Sequence, residues 1–126
     1  MSDLSPRDAA LITREGAWTV LQFDGRMSQI GESNAQRGRD LLEAAVLKAV
    51  AESPPNLLLD LSGVSFFGSS FIEGMYRAWK KITDAGGTFA LSDCSDHCRE
   101  VLQVTKLGDL WTTYGSRGEA LQVGAG

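Results

Sequence analysis

The chain has 126 residues, 43% of them hydrophobic and 22% charged, with 16 Asp plus Glu against 12 Lys plus Arg and a net charge of −4. That length and balance predict a single folded domain over residues 1–126 and exclude a disordered chain. The acidic excess argues against nucleic acid, whose binders carry a clustered basic face that Arg37, Arg39 and the Lys80-Lys81 pair do not supply. No charged segment followed by an apolar core opens the sequence, and no apolar run approaches the roughly 20 residues of a membrane span. A cytoplasmic protein without membrane insertion is expected.

In chain order, Ala10 to Arg14 and Trp18 to Phe23 read as two short strands around the turn-compatible Glu15-Gly16, an initial hairpin that Asp24-Gly25 closes. The apolar pattern then thins from Arg26 to Arg39. Leu41, Leu42, Ala45, Val46, Ala49 and Val50 form a helical stripe that Pro54-Pro55 stops. Ser33-x-x-Gln36 has the capping-box pattern, which puts the helix start at Asn34 or within the next turn, with Gly38 costing about 1 kcal/mol relative to Ala.

The run Leu57-Leu58-Leu59-Asp60-Leu61 reads as a buried strand that leads through a loop into Ser69-Ser70. Phe71, Ile72, Met75, Ala78, Trp79 and Ile82 recur at helical spacing, so the two serines stand at a helix N-terminus. Gly86-Gly87 ends this helix, and Thr88 to Ser92 is a further strand. A helix from about Ser95 to Thr105, a short strand over Leu110 to Tyr114 and a turn over Glu119 to Val123 complete the chain, with Gly124-Ala125-Gly126 expected to fray. Strands alternating with helices after a hairpin predict an α/β fold: a mixed sheet of four or five strands flanked by helices. The core is expected to include Leu57, Leu59, Leu61, Ile72, Met75, Trp79 and Leu91.

Cys94 and Cys98, with His97 between them, lack the further ligands that a zinc site wants. No metal is expected. One thiol at a strand end and one on the inner face of the next helix is the simpler reading. Catalysis is not expected either. A G-x-S-x-G elbow would need glycine where Ile72 stands, no glycine-rich nucleotide loop exists to hold a cofactor, and Asp60, Ser69, Glu73 and His97 share no motif.

The first turn of a helix carries unpaired N–H groups and about half a positive charge, so a serine there can cap, line an anion site or accept phosphate. Ser70-x-x-Glu73 has the capping-box pattern, and Ser70 is expected to be the cap. Ser69 is then either a solvated loop hydroxyl or a phosphoacceptor. Of Phe66 and Phe67, one should face the core and the other should not. Phe71 either packs with Met75 or presents an aromatic anchor to a partner.

The segment from Leu59 to Ser70, with Asp60-Leu61-Ser62-Gly63-Val64-Ser65-Phe66-Phe67-Gly68-Ser69-Ser70 at its centre, resembles the signature of STAS domains, the family of bacterial anti-sigma-factor antagonists. Their pattern is close to D-L-S-x-V-x-F-x-D-S-S-G. Gly25, Gly86 to Leu91 and Val101 to Trp111 resemble the family's other landmarks, so the likeness runs from Ala10 to Leu121. The resemblance implies a regulatory, protein-binding domain that engages a GHKL-type serine kinase doubling as an anti-sigma factor, with the first serine of the doublet, Ser69, as phosphoacceptor. The region Phe66 to Glu73 is expected to dock a partner, with Phe67, Gly68, Phe71 and nearby Ser28 as candidate contacts, because aromatic residues stand there beside an addressable helix N-terminus. The chain departs from the pattern at Gly68, where an acid is usual, at Phe71, where glycine is usual, and at Ser28, near a second usual acid. A STAS scaffold that works without phosphorylation, and a small-ligand or anion-binding module, are the alternatives.

Overall fold

A computed structural model describes residues 10–24 and 27–123; Gly25 and Gly124 to Gly126, to which the sequence assigned a strand end and a frayed tail, lie outside the described residues. Strands β1 (Ala10–Glu15) and β2 (Trp18–Phe23) form the antiparallel hairpin. Next come β3 (Gln29–Ile30), α1 (Ala35–Val50), β4 (Asn56–Asp60), β5 (Phe66–Phe67) and α2 (Ser69–Asp84). The chain continues with β6 (Phe89–Ser92), α3 (Asp96–Thr105), a 3-10 turn at Leu107–Asp109, β7 (Thr112–Tyr114) and α4 (Arg117–Val123).

The main sheet has five strands in the order β1-β2-β4-β6-β7, parallel from β2 onward, as helical crossovers require. A separate two-stranded parallel ribbon, β3 with β5, is a structural element that the sequence did not reveal. Alternation along each strand divides the core in two. Leu21, Phe23, Leu57, Leu59, Leu61 and Leu91 pack beneath α1, α2 and α3, together with Phe71, Met75 and Leu102. Trp18, Val20, Leu58 and Ala90 face the other way, under Ala120 and Leu121 of α4. Ile72 and Trp79 are half-buried at the margin of the first core and not within it.

Two of the helix ends follow local chemistry closely. Ser95 caps α3 by accepting from Cys98 N at 3.2 Å, and Gly86 ends α2 with a φ of 89°, a conformation that glycine adopts without a Cβ penalty. At the start of α1, Asn34 occupies the cap position without a side-chain cap bond, so the Ser33–Gln36 capping box does not form. The Asn34 amide donates to Gln29 O at 2.9 Å instead, and Gln36 donates to Asp40.

Two polar devices hold the sheet. Buried Asn56 donates to Ala17 O (3.0 Å) and accepts from Thr88 N (2.8 Å), joining the hairpin turn to the starts of β4 and β6. On the α4 face, Arg117 donates to Gln22 Oε1 (2.9 Å), to Asp60 Oδ2 (3.1 Å) and to the Glu15 carboxylate, while its backbone N–H reaches Asp93. The Arg117 hydrogen bond holds the Glu15 carboxyl below its ordinary pKa despite partial burial. Burial works against the guanidinium charge, but the two carboxylates outweigh it and raise the Arg117 pKa.

Candidate functional site

The β3–β5 ribbon builds the site. Its register sets Gln29 beside Phe66 and Ile30 beside Phe67, and Gly68 N extends it by donating to Ile30 O at 2.9 Å. Below the ribbon, the Ser28 carbonyl accepts from Ser65 N (2.7 Å), Phe66 N (3.2 Å) and the Ser65 hydroxyl (3.1 Å). Ser28 therefore contributes through its backbone. Ser95 donates to Ser65 O at 3.0 Å, which ties the start of α3 to the same loop.

Gly68 is the N-cap of α2, extended at φ −96°, and it offers no side-chain acceptor to the first turn. Ser69 follows as the first helical residue and is exposed. Ser70 is the second helical residue, so the Ser70–Glu73 capping box is corrected: a residue already inside the helix does not reach back as a cap. Its hydroxyl donates to Glu32 Oε2 at 2.9 Å, and Glu73 pairs with Arg77 one turn along the helix at 3.6 Å. Arg39 of α1 lies against the same turn, reaching Ser70 O at 3.5 Å and Gln36 Oε1 at 2.6 Å.

The aromatic assignments also change. Phe67 and Phe71 are 1% and 0% exposed, so neither offers a ring to a partner. Phe71 stands edge-on to Phe23 with centroids 5.7 Å apart and lies 5.9 Å from Phe67. Helical phase explains this outcome, because Phe71 shares the sheet-facing side of α2 with Met75, Ala78 and Ile82. Alternation in β5 turns Phe66 outward, where its ring lies 4.9 Å from that of His97.

Asp60, Ser69, Glu73 and His97 are not brought together. Asp60 meets Arg117 on the opposite face of the sheet, Glu73 meets Arg77, and His97 meets Phe66. Cys94 follows β6 and Cys98 lies on the inner face of α3, the places that the spacing predicted. Burial pushes the Cys94 thiol up to about 11 and raises that of Cys98, which leaves both poor nucleophiles. Among the described residues, no three His, Cys, Asp or Glu side chains gather as a metal ion would require, and no helix is long and apolar enough to cross a membrane. The groove between α1 and α2, about 310 Å³, is lined by Asp40, Glu43 and Glu73 against Arg39, Arg77 and Lys81, and its lining stops short of Ser69.

Sequence reasoning missed Glu32 and Arg39 as parts of the helix mouth. Both lie in or beside the stretch of thin apolar pattern, where periodicity carries no signal.

Comparison with known proteins adds to this geometry. The STAS domain family model matches residues 13–120. An anti-sigma-factor antagonist (STAS) domain protein from Planctomyces limnophilus is 37% identical at a TM-score of 0.83, over 90% of this chain and 96% of that one. An anti-sigma factor antagonist from Mycobacterium paratuberculosis is 24% identical at 0.75, over 95% and 97% of the two chains. The Bacillus cell fate determinant SpoIIAA in its phosphorylated form is 18% identical at 0.65, over 91% and 98%, a likeness of fold. No curated protein matches. With nearly all of the described sheet and helices inside the matched region, the chain belongs to the STAS domain family and is similar to its anti-sigma-factor antagonists.

Proposed function

We propose that this STAS domain regulates a protein partner, a GHKL-type serine kinase that doubles as an anti-sigma factor, and that Ser69 is its phosphoacceptor. The observation that carries the reading is the placement of Ser69, an exposed hydroxyl on the first helical residue behind a glycine cap. A phosphate there gains the positive helix pole and adds a charge of about −1.5 to −2 to the surface. In the transfer, Ser69 Oγ attacks the γ-phosphorus of ATP. The Oγ–P bond forms, the bond to the β,γ-bridging oxygen breaks, ADP leaves and the hydroxyl proton is released. ATP as donor suits a cytoplasmic protein, and the domain acts as substrate and ligand of the kinase with no catalytic role of its own.

Docking is assigned to the surface around Ser69 that includes Phe66, which replaces the buried Phe67 and Phe71 as the aromatic contact. Gly68 and the Ser28 carbonyl shape that surface from below. Phosphosite mapping of the protein from its own cells tests the reading. One phosphate, lost in Ser69→Ala and retained in Ser70→Ala, is expected, with Ser69→Asp weakening partner capture. An unmodified protein whose partner binding ignores Ser69→Asp would instead favour the phosphorylation-independent scaffold.

A further inference from the structure

Glu32 occupies a position that neither composition nor motif assigned to it. It lies between β3 and α1, yet its carboxylate accepts the Ser70 hydroxyl at 2.9 Å, on the residue next to Ser69. The ribbon makes this reach short, since Gly68 N is bonded to Ile30 O and the chain passes directly from Ile30 through Gly31 to Glu32. With glycine at the cap, no cap side chain accepts from the first turn of α2, and Glu32 is the anionic side chain bonded there.

We propose that Glu32 is the intramolecular counterpart of the phosphate: a phosphate on Ser69 expels the Glu32 carboxylate from Ser70 and drives the segment Gly31 to Asn34 off the mouth of α2. This rests on Ser69 being the modified residue, and it states what that modification does to the fold. Ser69 and Ser70 are consecutive residues of the first turn of α2, so the new phosphate and the carboxylate bonded to Ser70 stand at the same helix mouth, where like charges repel. Both anions are drawn to one helix pole. The phosphate is the stronger competitor, having the larger charge and three acceptor oxygens. It is also covalently fixed to α2, whereas the Glu32 carboxylate meets Ser70 through an exposed, reversible hydrogen bond. Arg39, anchored to Ser70 O and Gln36 on the α1–α2 side, remains with the helix and favours whichever anion stays. The segment that moves is joined to the ribbon, so modification is reported beyond the serine itself.

Phosphoserine inserted co-translationally at position 69 tests this without any kinase, read by amide NMR shifts in the intact protein. The expected result is a large displacement of the Gly31, Glu32 and Ser33 amides on modification, reduced at least threefold in Glu32→Gln, which keeps the shape and removes the charge. Equal displacements in the two backgrounds, or amides of Gly31 to Ser33 that stay in place, would overturn the proposal. Because the phosphate is installed, a failure to find phosphate on the protein from its own cells would count against the phosphoswitch alone and leave this result readable.

Discussion

At position 38, glycine stands inside a helix because the ring of Phe71 fills the space a side chain would take. A Cβ built there would lie 2.9 Å from Phe71 Cδ1 and 3.1 Å from Ile30 Cγ2. The ring has little freedom to retreat, being packed on Phe23 and Phe67. Gly38→Ala is therefore expected to lower stability by about 1–3 kcal/mol through overpacking, although alanine is the better helix former by about 1 kcal/mol. Phe71→Ala should cost about 3–5 kcal/mol as a cavity. Urea midpoints decide both, and an unchanged midpoint for Phe71→Ala would return that ring to the surface. Gly68 is the opposite case. A Cβ there meets Ile30 O at 3.7 Å and Phe66 Cζ at 3.9 Å, ordinary contacts, at a negative φ. Gly68→Asp should fit, supply the missing cap and raise stability by a few tenths of a kcal/mol, seen as a thermal midpoint that does not fall.

Among the elements, α4 depends most on partners outside itself, since seven residues do not sustain a helix alone. Arg117 connects it to β1, β2 and β4, and the Trp18 indole N–H donates to Ala120 O at 3.2 Å. Arg117→Ala would leave Asp60, with only 4% of its side chain exposed, facing an empty site, at a cost of about 3 kcal/mol or more. Acid acts on the same contact. The Glu15 pKa in the folded protein lies below the ordinary carboxyl value of 4.5, so its contribution is fully present above pH 4.5 and is lost as pH falls through the folded value. Exchange of the Trp18 indole proton should accelerate in that acid range, with a smaller acid step in Glu15→Gln; an identical profile in the variant would remove Glu15 from the account. Periodicity revealed α1 and α2, start and stop signals α3, the Glu15-Gly16 turn the hairpin, and alternation the two faces of β4. Periodicity could not reveal β3 and β5, because two-residue strands contain no period, nor the Ser70–Glu32 contact that their pairing creates. Ser69 was legible as a helix-mouth residue from strand, loop and helix in succession. The burial of Phe71 was not, because an apolar residue opening a helix fits a core face and a docking face equally until the sheet beneath it is known.

Over the molecule as a whole, the two faces of the sheet are protected unequally. One carries α1 and α2 along its length, while Trp18, Val20, Leu58 and Ala90 on the other are packed with α4. Removing residues 117–126 should leave a protein that binds a hydrophobic dye and self-associates in sedimentation, because a contiguous apolar face then meets water. A monomeric, dye-silent truncation would show that α4 is dispensable. The Asn56 clamp bears on the lifetime of the molecule. Hydrolysis of this amide, in which water enters and ammonia leaves, would replace the nitrogen that donates to Ala17 O with an oxygen that repels it and place a new carboxylate at a buried site. A chain hydrolysed there would keep its acceptor for Thr88 N but lose its hold on the hairpin turn, so that damage would loosen the sheet where β2, β4 and β6 begin.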